Sequence, residues 1–116
     1  MHAVTSTDEF DAWFAEQTPE VSVEILAELM LLQEFGPRLK RPHADTLNGS
    51  KFARMKELRV KTATAQIRIA FAFDPARQAV LLVAGDKQGV SEKRFYRQLV
   101  TRADALYEKH LEKING

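Results

Sequence analysis

The chain is 116 residues long and 45% hydrophobic, which suits one compact domain with a real core. It has no cysteine, which excludes a disulfide framework and a cysteine-based zinc site, and its apolar runs are too short to span a bilayer. Net charge is only +1, but residues 1–35 hold eight acids and no lysine or arginine, whereas residues 36–70 hold nine bases and two acids. Such segregation points to a polyanion-binding middle on a molecule kept near neutral. The competing reading pairs the acidic helices with the basic loop inside the fold. No basic stretch followed by an apolar run opens the chain, so a cytoplasmic protein with no membrane segment is expected. There is no internal repeat.

Ala3–Thr5 can make a first short strand. Ser6-Thr7-Asp8-Glu9 fits a capping box, with Ser6 as the cap and Glu9 reaching back. Phe10, Trp13 and Phe14 follow at helical spacing and are read as core, and this helix ends near Gln17. Thr18-Pro19 opens a second helix, with proline at its first position. Val21, Ile25, Leu29 and Leu32 form its apolar stripe. Leu26, Met30 and Leu31 widen that stripe beyond what one sheet face needs, so the helix is either sandwiched or meets a partner. Gly36-Pro37 stops it. Residues 37–50 (PRLKRPHADTLNGS) are a loop by composition, carrying Arg38, Lys40, Arg41 and His43.

Three strands are expected next. Leu58 and Val60 alternate with Glu57, Arg59 and Lys61. Ile67, Ile69, Phe71 and Phe73 alternate with Gln66, Arg68, Ala70 and Ala72. Strand side chains alternate between faces, so the two apolar sets share a face only in certain registers. A tight turn at Ala63-Thr64, poor chemistry for a two-residue hairpin, puts Arg59 opposite Arg68. A longer loop puts Lys61 opposite Arg68. Either way one face bears arginines, and like charges placed opposite each other are destabilising. An anionic ligand would relieve that cost. Asp74–Arg77 is a turn. Gln78–Ala84 (QAVLLVA) reads as a central strand buried on both sides. Lys87 follows at the sheet edge, and Ser91 caps a last helix with Phe95, Leu99, Leu106 and Tyr107 on its apolar side. The expected order is β-α-α-β-β-β-α, an α+β fold with an antiparallel meander, an N-terminal helical hairpin and a C-terminal helix, all in one domain over 1–116.

These elements resemble the RelE/ParE superfamily of bacterial toxin–antitoxin systems, in its HigB-like, phage-derived branch. The resemblance covers nearly the whole chain. It rests on Leu47-Asn48-Gly49, Glu57-Leu58-Arg59, Arg68-Ile69-Ala70-Phe71, the Asp74-Pro75 turn, the apolar strand and Gly85-Asp86-Lys87. It implies a toxin that cleaves mRNA on the ribosome without metal or cofactor and so inhibits translation. Arg68 and Lys87 match the basic residues that do chemistry in RNA-cleaving members, and Arg59 matches the basic position closing the first meander strand. Two departures stand out. Met55 and Glu57 occupy positions where RelE-type members carry lysines, and Tyr96 is the nearest tyrosine to the one often found after the last strand.

Cleavage by the ribose 2′-OH needs a base, cations for the phosphorane charge and an acid. Arg68 and Arg59 are assigned to charge stabilisation, and Lys87 to stabilisation or proton donation. Glu57 is a candidate base, or else a structural partner of the arginines. Lys51, Arg54, Lys56, Lys61, Arg41, His43 and Tyr96 are candidate RNA-binding residues. His2 and His110, near the ends, receive no role. The resemblance further implies a cognate antitoxin, often of helix-turn-helix type, in a toxin–antitoxin hetero-oligomer, with the wide stripe of the second helix as a possible docking surface. The ParE branch acts on DNA gyrase instead of RNA, so a gyrase-directed toxin or a non-catalytic RNA-binding protein is the alternative.

Overall fold

A computed structural model describes residues 1–115. The elements are β1 (Val4–Ser6), α1 (Asp8–Ala15), α2 (Pro19–Phe35), a 3-10 turn at Gly36–Arg38, β2 (Ala44–Thr46), β3 (Lys56–Lys61), β4 (Gln66–Phe73), β5 (Ala79–Asp86) and α3 (Glu92–Asn115). The five strands form one sheet in the order β1-β5-β4-β3-β2. β1 runs parallel to β5, and the other pairs are antiparallel. The expected α+β class, meander, helical hairpin and closing helix are all present. One strand is added. The basic loop contributes β2, which pairs with β3 through Ala44–Leu58, Asp45–Glu57 and Thr46–Lys56. Three residues are too few to show alternation, and the open edge of β3 supplies the pairing that composition could not reveal.

The helices cover the sheet from both sides. Phe10, Val21, Ile25 and Leu32 of α1 and α2 pack on Leu58, Val60, Ile67, Ile69, Phe71, Ala79 and Leu81. Phe95, Leu99, Ala103 and Tyr107 of α3 pack on Ala70, Ala72, Val80, Leu82 and Val83. β5 is therefore buried on both faces as its composition requires, but β4 is the middle strand of the five. A register shift between Ala70 and Phe71 places a bulge in β5 around Leu82. The bulge lets Leu82 and Val83 both serve the α3 side.

One cap differs in detail from expectation. Thr7, not Ser6, caps α1: its Oγ1 accepts from Phe10 N at 3.0 Å and donates to Leu82 O at 2.6 Å. Ser6 belongs to β1, whose pairing with β5 shifts the cap one residue onward. Thr18 caps α2 as expected, accepting from Val21 N at 3.4 Å. The wide stripe of α2 is not sandwiched. Val23, Leu26 and Met30 remain 61%, 50% and 69% exposed.

The β3–β4 register is the tight-turn one, with Arg59 directly opposite Arg68 and Lys61 opposite Gln66. Thr62 rescues the poor turn. Its Oγ1 accepts from Thr64 N at 3.2 Å and Ala65 N at 3.0 Å, while its own N donates to Ala65 O. α3 lies across β5 and β4, so it leaves this face of β3 as the floor of an open groove.

Candidate functional site

The groove is a cleft of about 510 Å³ lined by β2, β3, β4 and the start of α3. It brings together Arg41, Glu57, Arg59, Arg68, Lys87 and Tyr96, all singled out from the sequence. It adds Asp45, Asn48, Glu92 and Lys93. Five cations and three carboxylates line it, so the cleft is positive by two although carboxylates sit among the bases.

Glu57 is the centre of the arrangement. Alternation on β3 turns it to the α3 face with Arg59, and it is buried at 3% exposure. Arg59 donates to its Oε2 from Nε at 3.2 Å and from Nη2 at 3.1 Å. The Tyr96 hydroxyl donates to its Oε1 at 2.7 Å and accepts from Arg68 Nε at 3.1 Å. Arg68 Nε is itself 3.7 Å from Oε1, and Arg68 Nη1 donates to Ile67 O at 3.0 Å. A buried carboxylate between two guanidiniums compensates the like-charge cost of placing Arg59 opposite Arg68. The negative charge that the facing arginines require is thus supplied in part by the chain itself. Glu57 thus contacts both arginines.

Tyr96 enters through α3. Gly85 lies opposite Arg68, and a Cβ there would stand 3.0 Å from the Phe95 ring. The missing side chain lets the buried Phe95 settle against the sheet, where it meets Tyr96 edge-on at 5.3 Å. Burial, and then the Glu57 hydrogen bond, push the Tyr96 hydroxyl above its ordinary value of 10.0. Tyr96 is therefore a proton-bearing group at neutral pH and not a free phenolate. Lys87 sits 5.8 Å over the Tyr96 ring and donates to Glu92 Oε1 at 2.7 Å. That bond, with the Lys87 charge behind it, holds the Glu92 carboxyl below its usual range.

The remaining candidates lie elsewhere. Lys56 shares the α2-facing parity of Leu58 and Val60, because alternation turns it away from Arg59. Arg54 joins it beside Pro37 and Phe73 in a separate hollow. Lys51 pairs with Glu108 of α3. Lys61 is exposed at the far end of β3 and outside the cleft lining. His43 is held by Glu28 of α2, with Nδ1 3.0 and 3.1 Å from the carboxylate oxygens. The His43–Glu28 contact joins the loop to the acidic α2, as the internal-pairing reading of the charge asymmetry expects, whereas the partner of Lys51 lies on α3. His110 has a structural place after all: its Nε2 meets buried Asp74 at 2.8 Å. Asp45 and Glu92 escaped the sequence reading because each is an isolated acid whose only signal was spacing, four residues after Arg41 and five after Lys87.

Residues 12–108 match the family described as phage-derived protein Gp49-like. "Putative toxin HigB3" of Mycobacterium tuberculosis is 41% identical over 114 residues, covering 98% of this chain and 97% of its own. "Putative toxin HigB2" of the same organism is 38% identical over 105 residues, covering 90% of this chain. The match takes in 52% of HigB2, so this chain spans about half the length of that relative. Among solved structures, a double mutant of the E. coli toxin RelE in the free state superposes with a TM-score of 0.59, covering 87% of this chain and 96% of its own. At 12% identity that likeness speaks to the fold alone.

Proposed function

The chain belongs to the phage-derived Gp49-like family, and on that premise we propose that it is a RelE-like toxin of the HigB type that inhibits translation by cleaving mRNA. The carrying observation is the continuous chain Arg59–Glu57–Tyr96–Arg68, with Lys87 beside it, on the floor of one net-positive cleft. Guanidiniums held this way are preorganised for a phosphate that gains charge during reaction.

In this mechanism the 2′-oxygen attacks the adjacent phosphorus and the bond to the 5′-oxygen breaks. The products are a 2′,3′-cyclic phosphate and a 5′-hydroxyl. The Tyr96 oxygen takes the 2′-proton as its own proton passes to Glu57 Oε1, along the hydrogen bond already made. Arg68 and Arg59 stabilise the phosphorane oxygens. Lys87 leaves Glu92 and gives a proton to the departing 5′-oxygen. Each step uses side chains of this chain alone.

The partner of such a toxin is a cognate antitoxin, of helix-turn-helix type, in a hetero-oligomer; mRNA on the ribosome is the substrate. The exposed apolar stripe of α2 (Val23, Leu26 and Met30) and the acids around it suit a basic amphipathic helix of that antitoxin. Brief expression followed by primer extension on cellular mRNA tests the activity. New ribosome-dependent 5′ ends are expected. Intact transcripts accompanied by DNA breaks would instead assign the chain to gyrase.

A further inference from the structure

One carboxylate in the cleft stands outside the proposed chemistry. Asp45 Oδ2 receives both Nε and Nη2 of Arg41 at 2.7 Å. Arg59 Nη2 approaches the same oxygen at 3.6 Å. The other oxygen, Oδ1, accepts from Thr46 N at 2.9 Å. Two guanidiniums from separate elements thus converge on a single anionic oxygen. The planar fork that fits a carboxylate also fits a phosphate. The spot is open to solvent, with side-chain exposures of 74% for Arg41, 34% for Arg59 and 26% for Asp45. It is also linked to the reaction centre, because Arg59 reaches Glu57 with its Nε and the same Nη2.

We propose that Arg41, sharing Arg59 with the scissile phosphate, forms a second phosphate subsite, which binds the RNA backbone phosphate next to the scissile one, and that Asp45 occupies it until RNA arrives. The inference rests on the RNA-cleaving reading above. An incoming phosphate takes the place of the Asp45 oxygen on the two arginines. The carboxylate stays tethered by Thr46 N, close to the bound phosphate, so its charge opposes binding. Asp45 therefore sets the threshold of affinity at which the groove opens to RNA.

The test is fluorescence anisotropy with a short 2′-O-methyl RNA oligonucleotide, which lacks the attacking hydroxyl, titrated over a range of KCl. Asp45→Asn should tighten binding roughly two- to five-fold, the scale of one exposed ion pair. Arg41→Ala should weaken it and make the salt slope shallower by about 0.7, the share of one phosphate contact on a single strand. In the double variant the gain from Asp45→Asn should shrink, since its main partner is gone. Glu9→Gln, on α1 across the sheet, removes the same charge and should leave affinity unchanged. Tightening as large in Glu9→Gln as in Asp45→Asn would mean bulk charge and overturn the subsite. So would unchanged or weaker binding in Asp45→Asn, or an Arg41→Ala variant that binds like the parent. Arg41 is exposed enough that its removal reads the subsite even if Asp45→Asn melts early. A parent protein that neither binds nor cleaves RNA would overturn the functional reading and the subsite together. A parent that cleaves, with both variants indistinguishable from it, overturns the subsite alone.

Discussion

Arg59 stands directly opposite Arg68 across β3 and β4, and the carboxylate of Glu57 lies between them, bonded to one and 3.7 Å from the other. Without Glu57 the two strands would present facing cations on the floor of the groove. Glu57→Gln keeps the shape and removes the charge. It should cost about 2 kcal/mol, the penalty for leaving charged donors poorly matched. It should also loosen both guanidiniums and lower cleavage. Urea unfolding of the purified variant checks the first, and a midpoint equal to the parent's would contradict it.

Tyr96 joins Arg68 to Glu57 through one hydroxyl, as acceptor from the first and donor to the second. Tyr96→Phe removes that link and keeps the ring against Phe95. The cleavage rate should fall by about 10²–10⁴-fold, the range for a positioned proton-transfer group. Stability should fall by only about 1 kcal/mol. Because burial and Glu57 raise the Tyr96 value above 10.0, the parent's rate should show no limb from tyrosine ionisation near neutral pH. A rate in Tyr96→Phe equal to the parent's would remove the hydroxyl from the mechanism.

Far from the cleft, Asp74 ties the β4–β5 turn to the end of α3. It accepts from Gln78 N at 3.1 Å and Gln78 Nε2 at 2.9 Å, and meets His110 Nε2 at 2.8 Å. Burial alone would push its carboxyl up. The hydrogen bonds from His110 and Gln78 outweigh burial and hold it below 3.8. A depressed folded value gives stability that is fully present above the unfolded value and is lost as pH falls through the folded one. Asp74→Asn should therefore lower stability by about 2 kcal/mol at neutral pH and flatten the acid limb of stability below about pH 4. Thermal melts from pH 7 down to pH 2 check this, and parallel curves for parent and variant would contradict it.

The sheet and its arginine face were legible because Leu58, Val60, Ile67 and Ile69 alternate strictly with polar residues, and that parity admits few registers. The turn that selects among them was not, since Thr62 acts through its hydroxyl and not through a glycine or asparagine signature. Lys56 illustrates the limit of reading charge alone: its parity already placed it with Leu58. Tyr96 sits in a helix, ten residues beyond the last strand. Only the close packing of Phe95 over Gly85 carries it into the groove. His43 and His110 meet partners brought near by tertiary structure, and Asp45 meets Arg59 through the unforeseen β2; for Asp45 the one local signal was its spacing from Arg41.

Arg68 carries the central claim. Its side chain is 11% exposed, and Arg68→Ala should still fold, because Glu57 keeps Arg59 and Tyr96 as partners in its absence. The decisive measurement is primer extension on mRNA after brief expression of Arg68→Ala beside the parent, with both proteins shown to melt cooperatively. The parent should produce new 5′ ends, and the variant should produce them about 10²–10³-fold more slowly, the cost of removing one preorganised donor. Equal cleavage by a folded Arg68→Ala protein would contradict the assignment of this cleft as the RNA-cleaving site.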